Sequence, residues 1–233
     1  MQSEMEILII AAISIACLHT LTGPDHYLPF IALSKSRNWS VSKTIGWTIV
    51  CGSGHVLSSV VLGLGGAALG WSLSKIGWLE NVRGGIAGWV MLLFGFCYGI
   101  WGLRRAYKNN PHKHFDLQEN GDIYVFQHHH GEAISPKEQY KVTPWVMFII
   151  FILGPCEPMI PLLYFPAAQN SWWGMSILIS IYTIVTLLTM LSLVLLGYYG
   201  FAFVKTEKLE RYVHALGGLT IFICGAGMLW MGW

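Results

Sequence analysis

The sequence predicts an all-helical integral membrane protein with six transmembrane helices, arranged as two inverted repeats of three helices. Of its 233 residues, 54% are hydrophobic and only 11% are charged, whereas soluble domains carry about 25% charged residues. A bilayer tolerates long apolar runs with so few charges. A self-similarity at an offset of about 130 residues predicts the repeat. The composition argues against a soluble enzyme, and a net charge of +2 does not predict a nucleic-acid partner.

The six transmembrane segments follow from the need for about 20 mostly apolar residues per span. They are 6–33, 44–71, 82–103, 143–167, 172–200 and 211–232. Twelve of the 14 Lys and Arg residues fall in the first, third and fifth loops. The positive-inside rule therefore places these loops in the cytoplasm and both termini outside. We expect a bacterial inner (plasma) membrane protein.

Two Gly-Pro motifs mark the repeat. Gly23–His26 (Gly-Pro-Asp-His) lies in span one, and Gly154–Glu157 (Gly-Pro-Cys-Glu) lies in span four. Proline removes a helical hydrogen bond, so both spans are predicted to be broken helices. Because each half has three spans, the second half must insert upside down, which is a recurrent plan among transporters. The predicted units are 1–103 and 143–233 for the repeats and 104–142 for a cytoplasmic loop.

Ionisable side chains inside the predicted spans are the candidate site, because such groups are costly in a bilayer. Asp25 and Glu157 are the two acids there, and each follows a helix break. The candidate metal ligands are His19, Asp25, His26, His55, Cys156 and Glu157. Imidazole, carboxylate and thiolate donors suit a divalent transition metal such as Ni, Co, Fe or Zn, whereas Mg and Ca prefer oxygen ligands.

Structural roles are the alternatives at these positions. Asp25 could cap the helix that restarts after Pro24, and Glu157 could pair with a histidine for structure alone. His19 and His26 could be satisfied packing residues. Cys156 could serve as a small buried hydrophobe.

Threonines recur at helical spacing in span five. Thr183 and Thr186 are candidates to line the pathway, and the repeat offset places Thr186 opposite His55. The alternative is that these hydroxyls bond back to their own helix.

The loop 104–142 is rich in histidine, which is a compositional signal of metal binding. The candidates for metal capture are His112, His114, His128, His129 and His130. The run 123–126 predicts a short strand, and Asn120-Gly121 before it predicts a tight turn, so we expect a small hairpin. A solvated polar loop is the alternative.

Two of these segments carry a family resemblance. His19–His26 and Gly52–His55 resemble the first- and second-span motifs of the NicO/UreH-like nickel–cobalt transporter group, within the lysine-exporter superfamily. Gly154–Pro158 resembles the fourth-span motif of UreH-like members. The first motif departs from the family because five residues, not four, separate His19 from Asp25. The resemblance implies movement of a divalent metal, often Ni or Co.

The expected function is membrane transport of a divalent transition-metal cation, with efflux favoured, proton coupling open and no enzymatic activity. The bilayer and the metal ion are the expected partners, and the oligomeric state is left open. One alternative is a thiol–disulfide electron conduit using Cys17 and Cys156, since Gly-Pro-Cys also resembles conduits of cytochrome c biogenesis. The other is a small-anion exporter, which would need Lys or Arg deep in a span, and none is predicted there.

Overall fold

The computed structural model describes residues 2–108, 112–117, 123–128, 142–154, 156, 158–168, 172–200 and 207–231. Within these ranges, five helices are long and apolar enough to cross a membrane. The spans are Glu4–Thr22, Val41–Gly66, Leu73–Tyr107, Trp172–Gly200 and Tyr212–Trp230. The helices therefore have the lengths and the composition of a membrane protein, as the sequence predicts.

The elements follow one another along the chain as helices, interrupted by one pair of strands. The helices are α1 Gln2–Thr22, α2 Leu28–Ser36, α3 Val41–Ala68, α4 Leu73–Lys108, α5 Val142–Leu153, α6 Met159–Ala168, α7 Trp172–Gly200 and α8 Glu207–Trp230. A 3₁₀ turn, Pro24–His26, lies between α1 and α2. The strands are β1 His112–Leu117 and β2 Ile123–His128.

Both predicted helix breaks are present. Helix α1 ends at Thr22, and the chain makes the 3₁₀ turn before α2 begins. Helix α5 ends at Leu153, and α6 begins at Met159. In both places a proline that cannot donate a backbone hydrogen bond follows a glycine, which is why the helix stops there.

Helices α4 and α8 form the most extensive helix pair among the described residues. Glycines allow their backbones to touch. A Cβ atom added at Gly102 would lie 2.5 Å from the backbone nitrogen of Ala215, and one added at Gly225 would lie 2.5 Å from that of Leu92. Residues later in α4 contact residues earlier in α8, so the two helices run antiparallel. Close packing between small residues is a common way to join helices in a membrane.

The boundaries of α4 differ from the predicted third span. The prediction begins at residue 82, whereas the helix begins at Leu73. Charged residues in the first turns lower the local hydropathy and hide this part of the helix from a hydropathy criterion. Glu80, which precedes the predicted span, therefore lies inside the helix together with Arg83. The two form an ion pair with 2.7 Å between Arg83 Nη1 and Glu80 Oε1.

The histidine-rich loop contains the expected antiparallel strand pair. His112 lies opposite His128, and His114 lies opposite Phe126. The turn predicted at Asn120-Gly121 lies outside the described residues.

Candidate metal site

Three histidines converge where the first helix break meets α3. His19 is in the last turn of α1, His26 ends the 3₁₀ turn, and His55 is near the middle of α3. One ring nitrogen from each lies within 4.8 Å of the others. The ring centroids of His19 and His26 are 4.8 Å apart, and those of His26 and His55 are 5.0 Å apart. The structure thus brings together three of the six predicted ligands.

Hydrogen bonding selects the tautomer of His26. Its Nδ1 lies 3.1 Å from the carbonyl oxygen of Gly23 and 3.2 Å from Oδ1 of Asp25. Because a carbonyl oxygen only accepts hydrogen bonds, Nδ1 carries the proton and donates it. The neutral ring then has its lone pair on Nε2, and a metal ion would be coordinated through that lone pair.

The same argument applies to His55. Its Nδ1 lies 3.3 Å from the carbonyl oxygen of Phe151, in the last turn of α5. Nδ1 is therefore the donor, and Nε2 is left with the lone pair. The approach is close enough that a Cβ atom at Gly154 would lie 3.3 Å from His55 Nδ1. The glycine of the second break thus leaves room for a histidine next to the first break.

Among the described residues, the buried Nε2 atoms of His19, His26 and His55 have no hydrogen-bond partner. Leaving one buried polar group unsatisfied costs about 1–3 kcal/mol. A bound cation would satisfy all three atoms at once. Nitrogens bound to one metal ion at about 2.0–2.1 Å lie about 3.3 Å apart in tetrahedral geometry, so modest side-chain rotation would close the cluster on an ion.

Asp25 lies outside the three-histidine cluster, on the opposite side of the His26 ring. Its side chain is 13% exposed, and its carboxylate accepts from His26 Nδ1. A carboxylate behind a metal-binding histidine orients the ring and makes its free nitrogen a stronger ligand. Asp25 therefore contacts one of the three clustered histidines and is not itself a member of the three-residue cluster.

Cys156 lies in a cluster of buried hydrophobic residues. Its backbone N–H donates to Ser59 Oγ at 3.1 Å, and its Sγ lies 3.5 Å from Tyr182 Oη. It is not part of the three-residue cluster. The other candidate in this motif, Glu157, lies outside the described residues.

The threonines of α7 differ from one another. Thr183 donates to the carbonyl oxygen of Ile179 at 2.6 Å, which is the bond back to its own helix. Thr186 is buried, and its hydroxyl has no hydrogen-bond partner within the described part of the chain.

The loop histidines are placed only in part. His112, His114 and His128 lie in the strand pair. His129 and His130 lie outside the described residues.

Sequence reasoning missed Glu80 and Arg83. Glu80 is fully buried, and Arg83 Nη2 lies 2.7 Å from both Ser58 Oγ and the carbonyl oxygen of Ile152. The available signal was the acid–base pair at i,i+3, which favours a helix. The pair straddles residue 82, where hydropathy places the start of the third span, so Glu80 falls outside the predicted span and Arg83 only just inside it.

The fold and the site together define a class, namely a helical membrane protein with a buried three-histidine cluster at a helix break. Comparisons of the chain with protein-family models, with curated proteins and with solved structures found no match.

Proposed function

We propose that the protein transports a divalent transition-metal cation and binds it through His19, His26 and His55. The observation that supports this proposal most directly is the set of three buried Nε2 atoms that lack hydrogen-bond partners among the described residues. Neutral imidazoles suit Ni, Co, Fe(II) or Zn and do not suit Mg or Ca. The resemblance of the first two spans to the NicO/UreH-like group supports Ni or Co in particular.

The position of the site supports transport over permanent structural binding. Irregular backbone at membrane depth is tolerated where it faces protein or a water-filled cavity. Transporters place their substrate sites at such helix breaks. Here His26 belongs to the first break, and His55 bonds to the end of α5 beside the second break.

The packing of α4 on α8 supports two inverted repeats. An offset of 130 residues converts Gly88 into Gly218 and Leu229 into Gly99. Gly88 packs against Leu229, and Gly218 packs against Gly99, so exchanging the halves converts one contact into the other. Likewise, α1 packs on α7 as α5 packs on α3. We infer that α5 and α6 together form one further span, the fourth along the chain, which brings the number of spans to six. We also infer that both termini lie outside the cytoplasm.

The strand pair supports a role for the loop in metal capture. In the backbone register of the two strands, His112 is paired with His128. His114 is two residues further along β1, so three histidines of the loop fall within one short strand pair. On the cytoplasmic side, such a loop would receive metal before export, which favours efflux.

The alternative functions gain no comparable support. An anion exporter needs an available cationic side chain, but the guanidinium of Arg83 is engaged by Glu80, Ser58 and the carbonyl oxygen of Ile152. A dithiol conduit needs two sulfurs within bonding reach. The Cys156 sulfur lies 3.5 Å from Tyr182 Oη, and no disulfide joins Cys17 to Cys156.

The test is metal flux into proteoliposomes that contain an indicator of divalent metals. We expect flux of Ni²⁺ or Co²⁺ above that of protein-free vesicles, and loss of this flux in His26→Ala. His214→Ala is the matched control, because His214 lies outside the cluster. Absence of flux for Ni²⁺, Co²⁺, Fe²⁺ and Zn²⁺, or equal flux in His26→Ala, would contradict the proposal. Flux indifferent to an imposed proton gradient would argue against proton coupling.

A further inference from the structure

The end of α5 is held by two side chains from different helices. The last carbonyl groups of a helix lack partners within it. Here the carbonyl oxygen of Phe151 accepts from His55 Nδ1. The carbonyl oxygen of Ile152 accepts from Arg83 Nη2 at 2.7 Å, and that of Gly154 lies 3.4 Å from the same nitrogen. A cation is also favoured at the negative end of the helix dipole.

Arg83 also reaches the helix that carries His55. Its Nη2 donates to Ser58 Oγ at 2.7 Å, and Ser58 in turn donates to the carbonyl oxygen of His55 at 2.8 Å. Arg83 therefore contacts both structures that determine where the His55 ring lies. One is the α3 backbone around His55, and the other is the α5 turn to which His55 Nδ1 is bonded.

We infer that Arg83, held by Glu80, is a positioning residue that aims Nε2 of His55 at the metal. This inference rests on the proposed metal site. Only arginine offers several N–H donors in a rigid plane, which is what contacts to a carboxylate, a hydroxyl and a carbonyl require. Glu80 supplies the opposite charge, because a buried cation without a partner is strongly destabilising.

The first experiment measures Co²⁺ binding by the purified protein through its ligand-field absorption bands. We expect Arg83→Gln to weaken binding about 10–100-fold, as losses of outer partners of metal ligands do, and to shift the bands. Arg83→Lys should restore part of the affinity. Lys75→Gln is the matched control, because it removes one positive charge from the same helix at a side chain that lies over Trp71. Unchanged affinity and bands in Arg83→Gln, or an equal loss in Lys75→Gln, would overturn the inference.

The second experiment does not depend on metal. Cys156 is fully buried, and its backbone is tied to Ser59, next to Ser58. If Arg83 holds the end of α5, Arg83→Gln should raise the rate of maleimide labelling of Cys156 by about tenfold. This corresponds to a free energy of opening of the helix end that is lower by about 1.4 kcal/mol. Labelling is read by peptide mass spectrometry on the full-length protein.

The two readouts separate the two proposals. If the wild-type protein binds no Co²⁺, the metal site is wrong as proposed, and Arg83 cannot aim a ligand at a metal. A faster labelling of Cys156 would then show only that Arg83 holds the helix end. If Arg83→Gln does not fold, Ser58→Ala takes its place, with weaker Co²⁺ binding expected and unchanged binding counting against the inference.

Discussion

Replacement of His55 by asparagine separates metal binding from structural support. Nδ1 of histidine and the amide nitrogen of asparagine are both bonded to Cγ, so His55→Asn keeps a donor near the carbonyl oxygen of Phe151. It removes Nε2, which is buried and without a hydrogen-bond partner among the described residues. The variant therefore loses a ligand while it keeps the contact between α3 and α5.

The magnitude follows from the number of ligands. Structural zinc sites bind with about 10–16 kcal/mol at pH 7, which is about 3 kcal/mol for each of four ligands. Loss of one ligand therefore predicts a weakening of roughly 100-fold. His55→Ala should bind equally weakly and also lose the hydrogen bond to Phe151, which is worth about 1 kcal/mol. That difference should lower its melting temperature by about 2–4 °C relative to His55→Asn.

The assay is a Co²⁺ titration together with thermal unfolding in detergent. His214→Asn is the matched control, since His214 Nδ1 is also hydrogen-bonded, at 2.9 Å from Tyr98 Oη, but lies outside the cluster. The reasoning is refuted if His55→Asn binds Co²⁺ within about twofold of the wild-type protein. It is also refuted if His214→Asn loses as much affinity as His55→Asn.

Three further predictions follow from the same contacts. Asp25→Asn should weaken Co²⁺ binding about 10–100-fold in titrations, because the partner of His26 loses its charge; unchanged binding would refute an orienting role. Lowering the pH from about 7.5 to about 5.5 should weaken Co²⁺ binding at least about tenfold, since protons compete for Nε2 of His26, whose ring is bonded to the Asp25 carboxylate and so holds a positive charge readily; equilibrium dialysis that shows constant affinity would contradict this. Gly218→Ala should lower stability by about 1–3 kcal/mol in thermal unfolding, because its Cβ would overlap the backbone of Gly99. Gly85→Ala, where no atom lies within 4 Å of an added Cβ, should have little effect, and equal losses in the two variants would exclude the packing argument.

The class of protein and the helix breaks could be predicted because they depend on local properties of the chain. Helix α7 runs from Trp172 to Gly200, the same bounds as the predicted fifth span, because this segment is apolar and carries no Lys, Arg, Asp or Glu. The breaks after Thr22 and Leu153 follow from proline, whose effect is confined to its own helical turn. The start of α4 could not be predicted from hydropathy, because Glu80 and Arg83 are accommodated by contacts that the hydropathy of the segment does not contain.

The sequence by itself predicted that histidines and a carboxylate lie in apolar segments beside broken helices, since residue type and hydropathy suffice for that prediction. Only the tertiary structure decided which of them meet. It grouped His19, His26 and His55, placed Asp25 behind His26, and set Cys156 against Tyr182. The physical reason is that a ligand set depends on which faces of separate helices pack together, and this is a property of the assembled bundle and not of any one segment.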